Sequence, residues 1–382
     1  MSRRRICVWS GKRGGFGAMA PTMSAIQEHP DMELDIVVTD QHLYNRFGHT
    51  IEEVKSRFPV TAAIDMGQVG DSNADRGQAI GVCLTKSIDV LSEINPDILL
   101  VIGDRGEVFA ACIAAHNLRI PIAHVQGGDI SGSLDEPVRH AITKLAHIHF
   151  PSTEGAAERI RRLGEQDWRI HAVGDTHVDQ IILGDVTPAE ELRKTYNLVE
   201  GEPFILVLQH SDSTVADQSP QQMAETTAAV KASGLRALLV YPCSDQGFEG
   251  IIEEIKKAAD GTVITAHRNI PAPDFIGLQR MATALVGNSS AGIIEAPYFS
   301  LPAINIGDRQ TGRERAGNTI DVDYDRETIA AGIDTALKDV SFRERLAATS
   351  PPYGDGTAYL KIVDVLAKVD LNPALLDKRM TY

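Results

Sequence analysis

Short apolar runs alternate with stretches in which apolar residues recur every three or four positions, and this rhythm holds along most of the 382 residues. RRICVWSG reads as a buried strand, and KRGGFGAMAPTMSAIQEH as a glycine-rich loop feeding a helix. ELDIVVTD is a second strand and VTAAIDM an edge strand. A long helix, apolar at Ile80, Leu84, Ile88 and Leu91, ends at Pro96, which cannot continue it. Residues 98–102 and 120–125 are strands flanking a helix, and the second opens into Gly127, Gly128 and Asp129. AHIHFPST is a further strand, a helix runs through Ile160 and Leu163, and WRIHAVGD is the last strand of this half. DVTPAEELRKTYNLVEGEP is polar and rich in breakers, as a domain crossing is. FILVLQHSDS then restarts the pattern: helix 219–233, strand RALLVYPC, helix FEGIIEEIKKAA, strand TVITAH, helix PDFIGLQRMA, strand TALVGNSS, helix GIIEAPYF, strand LPAINIG, then helices over 325–338, 341–348 and 357–370. Strands alternating with helices predict parallel, doubly wound sheets, hence an α/β protein of two Rossmann-like domains. The expected boundaries are 1–184 and 185–361, followed by a helix and tail over 362–382.

The chemistry lies where strands end. In a βαβ unit the loops at the carboxyl ends of neighbouring parallel strands lie side by side, so Asp104, Arg105, Gln126 and Asp129 are expected in one crevice. SGSLDEPVRHAITKLA starts with turn formers and places Arg139 and His140 one turn beyond Asp135, which puts Asp135 near a helix N-terminus facing the same place. Three carboxylates and an arginine so grouped suit acid/base chemistry on an anionic substrate. Residue by residue, helix caps, a surface ion pair and a tight turn account for them equally well.

The second half carries VGNSSAGIIEA, a strand, a small-residue turn and a helix start. Ser289 and Ser290 there can offer hydroxyls and backbone N–H groups to a diphosphate, and Glu295 can accept from ribose hydroxyls. An ordinary serine cap with an exposed glutamate is the alternative. Arg309 and Arg313, in a glycine-bearing loop of an acidic chain, are candidate charge partners for the same diphosphate, with a solvated loop the alternative for Arg313. Arg13 in the first loop is a further candidate anion contact.

Composition narrows the classes. A hydrophobic fraction of 43% with 23% charged residues is that of a globular chain. The net charge of −15 opposes nucleic acid and anionic membrane as general partners. No apolar run approaches a membrane span, and MSRRRICVW lacks the apolar core of a signal peptide, so a cytoplasmic enzyme is expected. Four widely spaced cysteines form neither a disulfide framework nor a metal-ligand pattern, and no metal site is expected.

GDRGEVFAACIAA, HVQGGDISGSLDEPVRHAITKLA, GNSSAGIIEA and GDRQTGRE resemble the hydrolysing UDP-N-acetylglucosamine 2-epimerases that supply amino sugars for sialic and legionaminic acid synthesis. The resemblance runs from about Ile6 to the last helix. It implies a GT-B fold, with two Rossmann-like domains facing an interdomain cleft and the last helix packed back on the first. It also implies a nucleoside-diphosphate amino sugar as ligand, no cofactor, and a homodimer or homotetramer. Matching positions give Asp104 and Asp135 as candidates for proton transfer, with Asp129 and Gln126 beside them. His210 is placed to donate to the departing phosphate. Arg13, His42, Arg105, Arg139, Ser244, Asp245, Ser289, Ser290, Glu295, Arg309 and Arg313 are placed to bind. Two departures stand out: Gly15 and Gln126 occupy places where the family often has an acid. A neutral amide can orient a group but cannot act as a carboxylate base, so a diacetamido sugar on UDP or GDP, or a shifted reaction, is compatible with them. Rival expectations are a non-hydrolysing epimerase, another GT-B sugar-nucleotide enzyme, and a sugar-nucleotide-binding protein whose catalytic set has decayed.

Overall fold

A computed structural model describes residues 3–348 and 350–382. The chain divides into two compact units: Met1–Ile130 with Leu134–Leu183 and Tyr353–Tyr382, and Ser131–Ser133 with Gly184–Pro352.

The first unit is built on β1 (Arg4–Ser10), β2 (Met32–Thr39), β3 (Ala62–Ile64), β4 (Ile98–Ile102), β5 (Ile122–Val125) and β6 (Ile148–Phe150), in the order β3-β2-β1-β4-β5-β6. The second uses β7 (Phe204–Leu208), β8 (Arg236–Val240), β9 (Ile264–His267), β10 (Ala284–Gly287), β11 (Ala303–Ile306) and β12 (Thr319–Val322), in the order β12-β11-β10-β7-β8-β9. Every pairing is parallel. Numbered within each unit, both orders are 3-2-1-4-5-6, the doubly wound Rossmann arrangement. The strand order therefore reverses between β1 and β4 and again between β7 and β10. Ligands of such sheets bind outside the carboxyl ends of the strands at that reversal.

Helices cover both faces of the first sheet, so its strands are apolar throughout rather than alternating. Ile6 and Val8 of β1, with Ile98, Leu100 and Ile102 of β4, face one core; Cys7, Trp9, Leu99 and Val101 face the other. The first of these cores also takes in Ile362, Leu366 and Leu375 from the C-terminal segment. All four cysteines are free, three of them buried. No helix among the described residues is long and apolar enough to cross a membrane.

Four elements differ from expectation. WRIHAVGD contributes only an isolated bridge between Ile170 and His149, because its neighbour β6 is three residues long and offers little edge to pair with. GIIEAPYF is one helical turn, Ala291–Ile294, followed by a 3-10 turn in which Pro297 interrupts the α-helical hydrogen bonds. Residues 13–15 of the expected glycine-rich loop already form the first turn of the helix Arg13–Glu28. The strand β12, partly exposed along its length, carried too few apolar residues to stand out.

Candidate functional site

At the strand ends of the first unit, Asp104, Asp129 and Asp135 lie near enough to Arg139 to act on its charge. Asp104 follows β4, Asp129 follows the glycine pair after β5, and Asp135 opens the helix Asp135–Leu145, with Arg139 one turn further on. The Arg139 guanidinium is 2% exposed and donates to the Asp104 carboxylate and, at 2.9 Å, to the Asp129 carbonyl. Burial works against its charge, but Asp104, Asp129 and Asp135 outweigh that and hold its pKa above the ordinary arginine range. His124, buried within β5, fixes the turn before Asp104: its Nε2–H donates to the Gly103 carbonyl at 2.7 Å. The three carboxylates and Arg139 are thus brought together as expected.

Arg105 is not part of that group. Its side chain lies 3.1 Å from Asp40 and 2.9 Å from Glu107, both fully buried, and Arg76 pairs with the same two carboxylates. This square ties the ends of β2 and β4 to the helix Asn73–Ile94. It requires a glycine at position 11, where a Cβ would meet Glu107 Oε1 at 2.4 Å. His42 is likewise interior rather than open to a ligand. Its ring nitrogens meet the hydroxyls of Ser10 at 2.9 Å and Thr50 at 2.8 Å, and burial lowers its pKa to about 4. Arg105 and His42, both expected to bind substrate, are here engaged in holding strand ends. Arg13 begins its helix and approaches the Phe47 carbonyl at 3.5 Å.

Gln126 holds a left-handed backbone (φ 64°) at the end of β5. Its amide nitrogen lies 2.9 and 3.0 Å from the two carboxylate oxygens of Asp175, and 3.0 Å from His177 Nδ1. A carboxylate only accepts, so the amide N–H groups must face it. Asp175 also receives the Ser152 hydroxyl at 2.9 Å and the His177 backbone N–H at 2.9 Å. Neither Asp175 nor His177 stood out in the sequence; the sole signal was the polar GDTH following an apolar stretch.

In the second unit, Asn288, which sequence reasoning passed over, is the hub. Its side chain accepts the His210 backbone N–H at 2.7 Å and donates to the His210 carbonyl at 2.9 Å, tying the ends of β7 and β10 across the reversal point. Gly287 permits that approach, since a Cβ there would meet the Leu208 carbonyl oxygen at 2.2 Å. His210 Nδ1 accepts the Cys243 backbone N–H at 3.1 Å, which leaves the ring proton on Nε2 and makes that nitrogen a donor. Arg309 reaches Asp245 at 3.2 Å, and Gln310 donates to the Asn288 carbonyl at 2.9 Å. Ser244, Asp245 and Ser289 are buried beside this network. Ser290 precedes a helix of one turn only, so the helix dipole expected there reduces to a few backbone N–H groups. Glu295 accepts from Gln279 at 2.9 Å, and Arg313 lies half-buried in the loop after β11. No three His, Cys, Asp or Glu side chains among the described residues are grouped as metal ligands.

Two Rossmann-order sheets, one ending in paired acids and the other in amides, hydroxyls and an arginine, define a nucleotide-type α/β protein. A family model described as UDP-N-acetylglucosamine 2-epimerase matches residues 24–367, and the chain belongs to that family. It is 33% identical over 380 residues to the UDP-N,N'-diacetylbacillosamine 2-epimerase (hydrolyzing) of Legionella pneumophila, covering 99% of this chain and all of the relative. It is 34% identical over 340 residues to a UDP-N-acetylglucosamine 2-epimerase of Neisseria meningitidis, covering 87% of each. The fold matches a crystal structure of UDP-GlcNAc 2-epimerase from Neisseria meningitidis bound to UDP-GlcNAc, with a TM-score of 0.80 over 96% of this chain and 100% of that one, at 19% identity.

Proposed function

We propose that the chain is a hydrolysing 2-epimerase of a nucleoside-diphosphate 2-acetamido sugar, releasing the free 2-epimer and the nucleoside diphosphate. The grouping of Asp104, Asp129 and Asp135 on Arg139 at strand ends carries this reading. In the first step the C2–H electrons form the C1=C2 bond as a base takes the proton, and the C1–O electrons leave with the diphosphate. In the second, a proton is delivered to C2 from the opposite face, and water adds at C1 and loses its own proton.

The C2–H is weakly acidic, so the departing charge must be well stabilised. The Nε2–H of His210, the hydroxyls of Ser289 and Ser290, and Arg309 serve that purpose, while Glu295 takes the ribose and Arg13, Ser244, Asp245 and Arg313 assist the nucleotide. Asp104 and Asp135 handle protons on the acidic side, with Arg139 fixing their placement. The amide at Gln126 and the Legionella pneumophila relative favour a diacetamido sugar over N-acetylglucosamine as the substrate.

Incubating the protein with a panel of UDP- and GDP-linked acetamido and diacetamido sugars, followed by NMR, tests this. Free 2-epimer plus nucleoside diphosphate is expected. A 2-epimer still linked to its nucleotide would instead make the enzyme non-hydrolysing, and tight calorimetric binding without turnover would make it a binding protein.

A further inference from the structure

Two opposed proton transfers need two groups, and the carboxylates on Arg139 account for one side only. Gln126 stands at the end of β5, between that set and the segment beyond β6, and an amide cannot transfer the second proton. The titratable pair behind this amide is Asp175, which accepts from it, with His177, which is bonded in turn to Asp175. Asp175 is 1% exposed, and His177 Nδ1 lies 2.8 Å from its Oδ1. The carboxylate can only accept, so Nδ1 carries the ring proton and Nε2 is the basic nitrogen. A buried carboxylate behind a histidine fixes its tautomer and stabilises the imidazolium that proton uptake creates. The pair emerges from the same carboxyl edge as Asp104. Neighbouring strands lie about 4.8 Å apart, and Asp104 and Asp175 are separated by the ends of β5 and β6. Three such spacings set their backbones roughly 14 Å apart, room for a sugar ring between side chains that reach in from both ends.

We propose that His177, positioned by Asp175 and steadied by Gln126, takes the C2 proton in the elimination step. The inference rests on the functional reading above and names the group missing from it. His177 Nε2 accepts the proton, the C2–H pair becomes the C1=C2 bond, and the diphosphate leaves with the C1–O pair. A carboxylic acid of the opposite set then protonates C2. Water adds to C1, its released proton restores that acid, and His177 returns its proton to solvent.

The test uses the sugar nucleotide on which the wild-type protein turns over fastest. His177→Gln, which keeps a polar side chain beside Asp175, should lower kcat at least 100-fold while sugar-nucleotide affinity stays within threefold. His177→Ala should fall as far and recover at least tenfold with added imidazole, which a purely structural role would not allow. Asp175→Asn should move the acid limb of the kcat profile to lower pH, because the imidazolium loses its carboxylate. An active wild type with a His177→Gln variant above one third of its kcat overturns the proposal alone, as does His177→Ala that imidazole does not rescue. A wild-type protein with no turnover of any such sugar overturns the functional reading, and this proposal with it.

Discussion

The two units share one strand order and place their polar residues at the same topological position, yet they handle charge in opposite ways. The first buries ionised groups and satisfies them with one another: Asp40 and Glu107 against Arg76 and Arg105, and Asp104 against Arg139. The second relies on neutral donors and acceptors around Asn288, with the ion pair of Arg309 and Asp245 beside them. Topology therefore selects where a site can form, and the residues after each strand decide whether it handles protons or receives a charged group. A buried ion pair is costly to break, whereas a neutral hydrogen-bond network loses little charge balance when one member goes.

The largest expected effect follows from the first kind. Arg139→Leu leaves the carboxylates around it without their counter-charge, and should cost about 3–5 kcal/mol of unfolding free energy in urea titrations; a cost below about 1 kcal/mol would mean that this ion pair does not hold the first unit's strand ends. Acid should separate the two units next. Burial depresses His42 and His149 to about 4 and His124 and His147 to about 3, all four in the first unit, from an ordinary 6.5. The unfolded chain takes protons at these sites below that ordinary value while the folded unit holds the rings neutral. Stability is thus complete above about pH 6.5 and is lost as pH falls toward 4, on the order of 3 kcal/mol per histidine. In the second unit burial also lowers His267. Hydrogen exchange between pH 7 and pH 4.5 should show first-unit amides losing protection before second-unit ones, and simultaneous loss would contradict the contrast. The smallest effect belongs to the neutral network: Asn288→Ala should cost about 1–3 kcal/mol, through the unpaired His210 backbone groups it leaves. Losing no more than a few tenths would show that the two strand ends hold without it.

Much of this was readable along the chain, and the part that was not has a common cause. Asp104, Asp129, Asp135 and Arg139 lie within 36 consecutive residues on successive elements of one strand–helix–strand–helix run, so their meeting follows from connectivity alone. Arg105, in the same stretch, turns instead to two fully buried carboxylates, Glu107 two residues on and Asp40 65 residues away, and the second could not be read from the local sequence. Gln126 finds Asp175 at a separation of 49 and His177 at 51. His42, expected to bind substrate, is held instead by Ser10 and Thr50, 32 and 8 residues away.

Apolar runs of strand length and the turn formers between them were sufficient for two parallel sheets, for the strand ends at which chemistry gathers, and for the acidic set close in sequence. These depend on periodicity and on short connections, which are local properties of a chain. Which carboxylate takes which guanidinium, which histidines stay neutral, and that Gln126 rests on a buried acid beside an imidazole were decided by segments far apart meeting inside a low-dielectric interior. There an unpaired polar group is too costly to leave, and its partner need not be near in sequence.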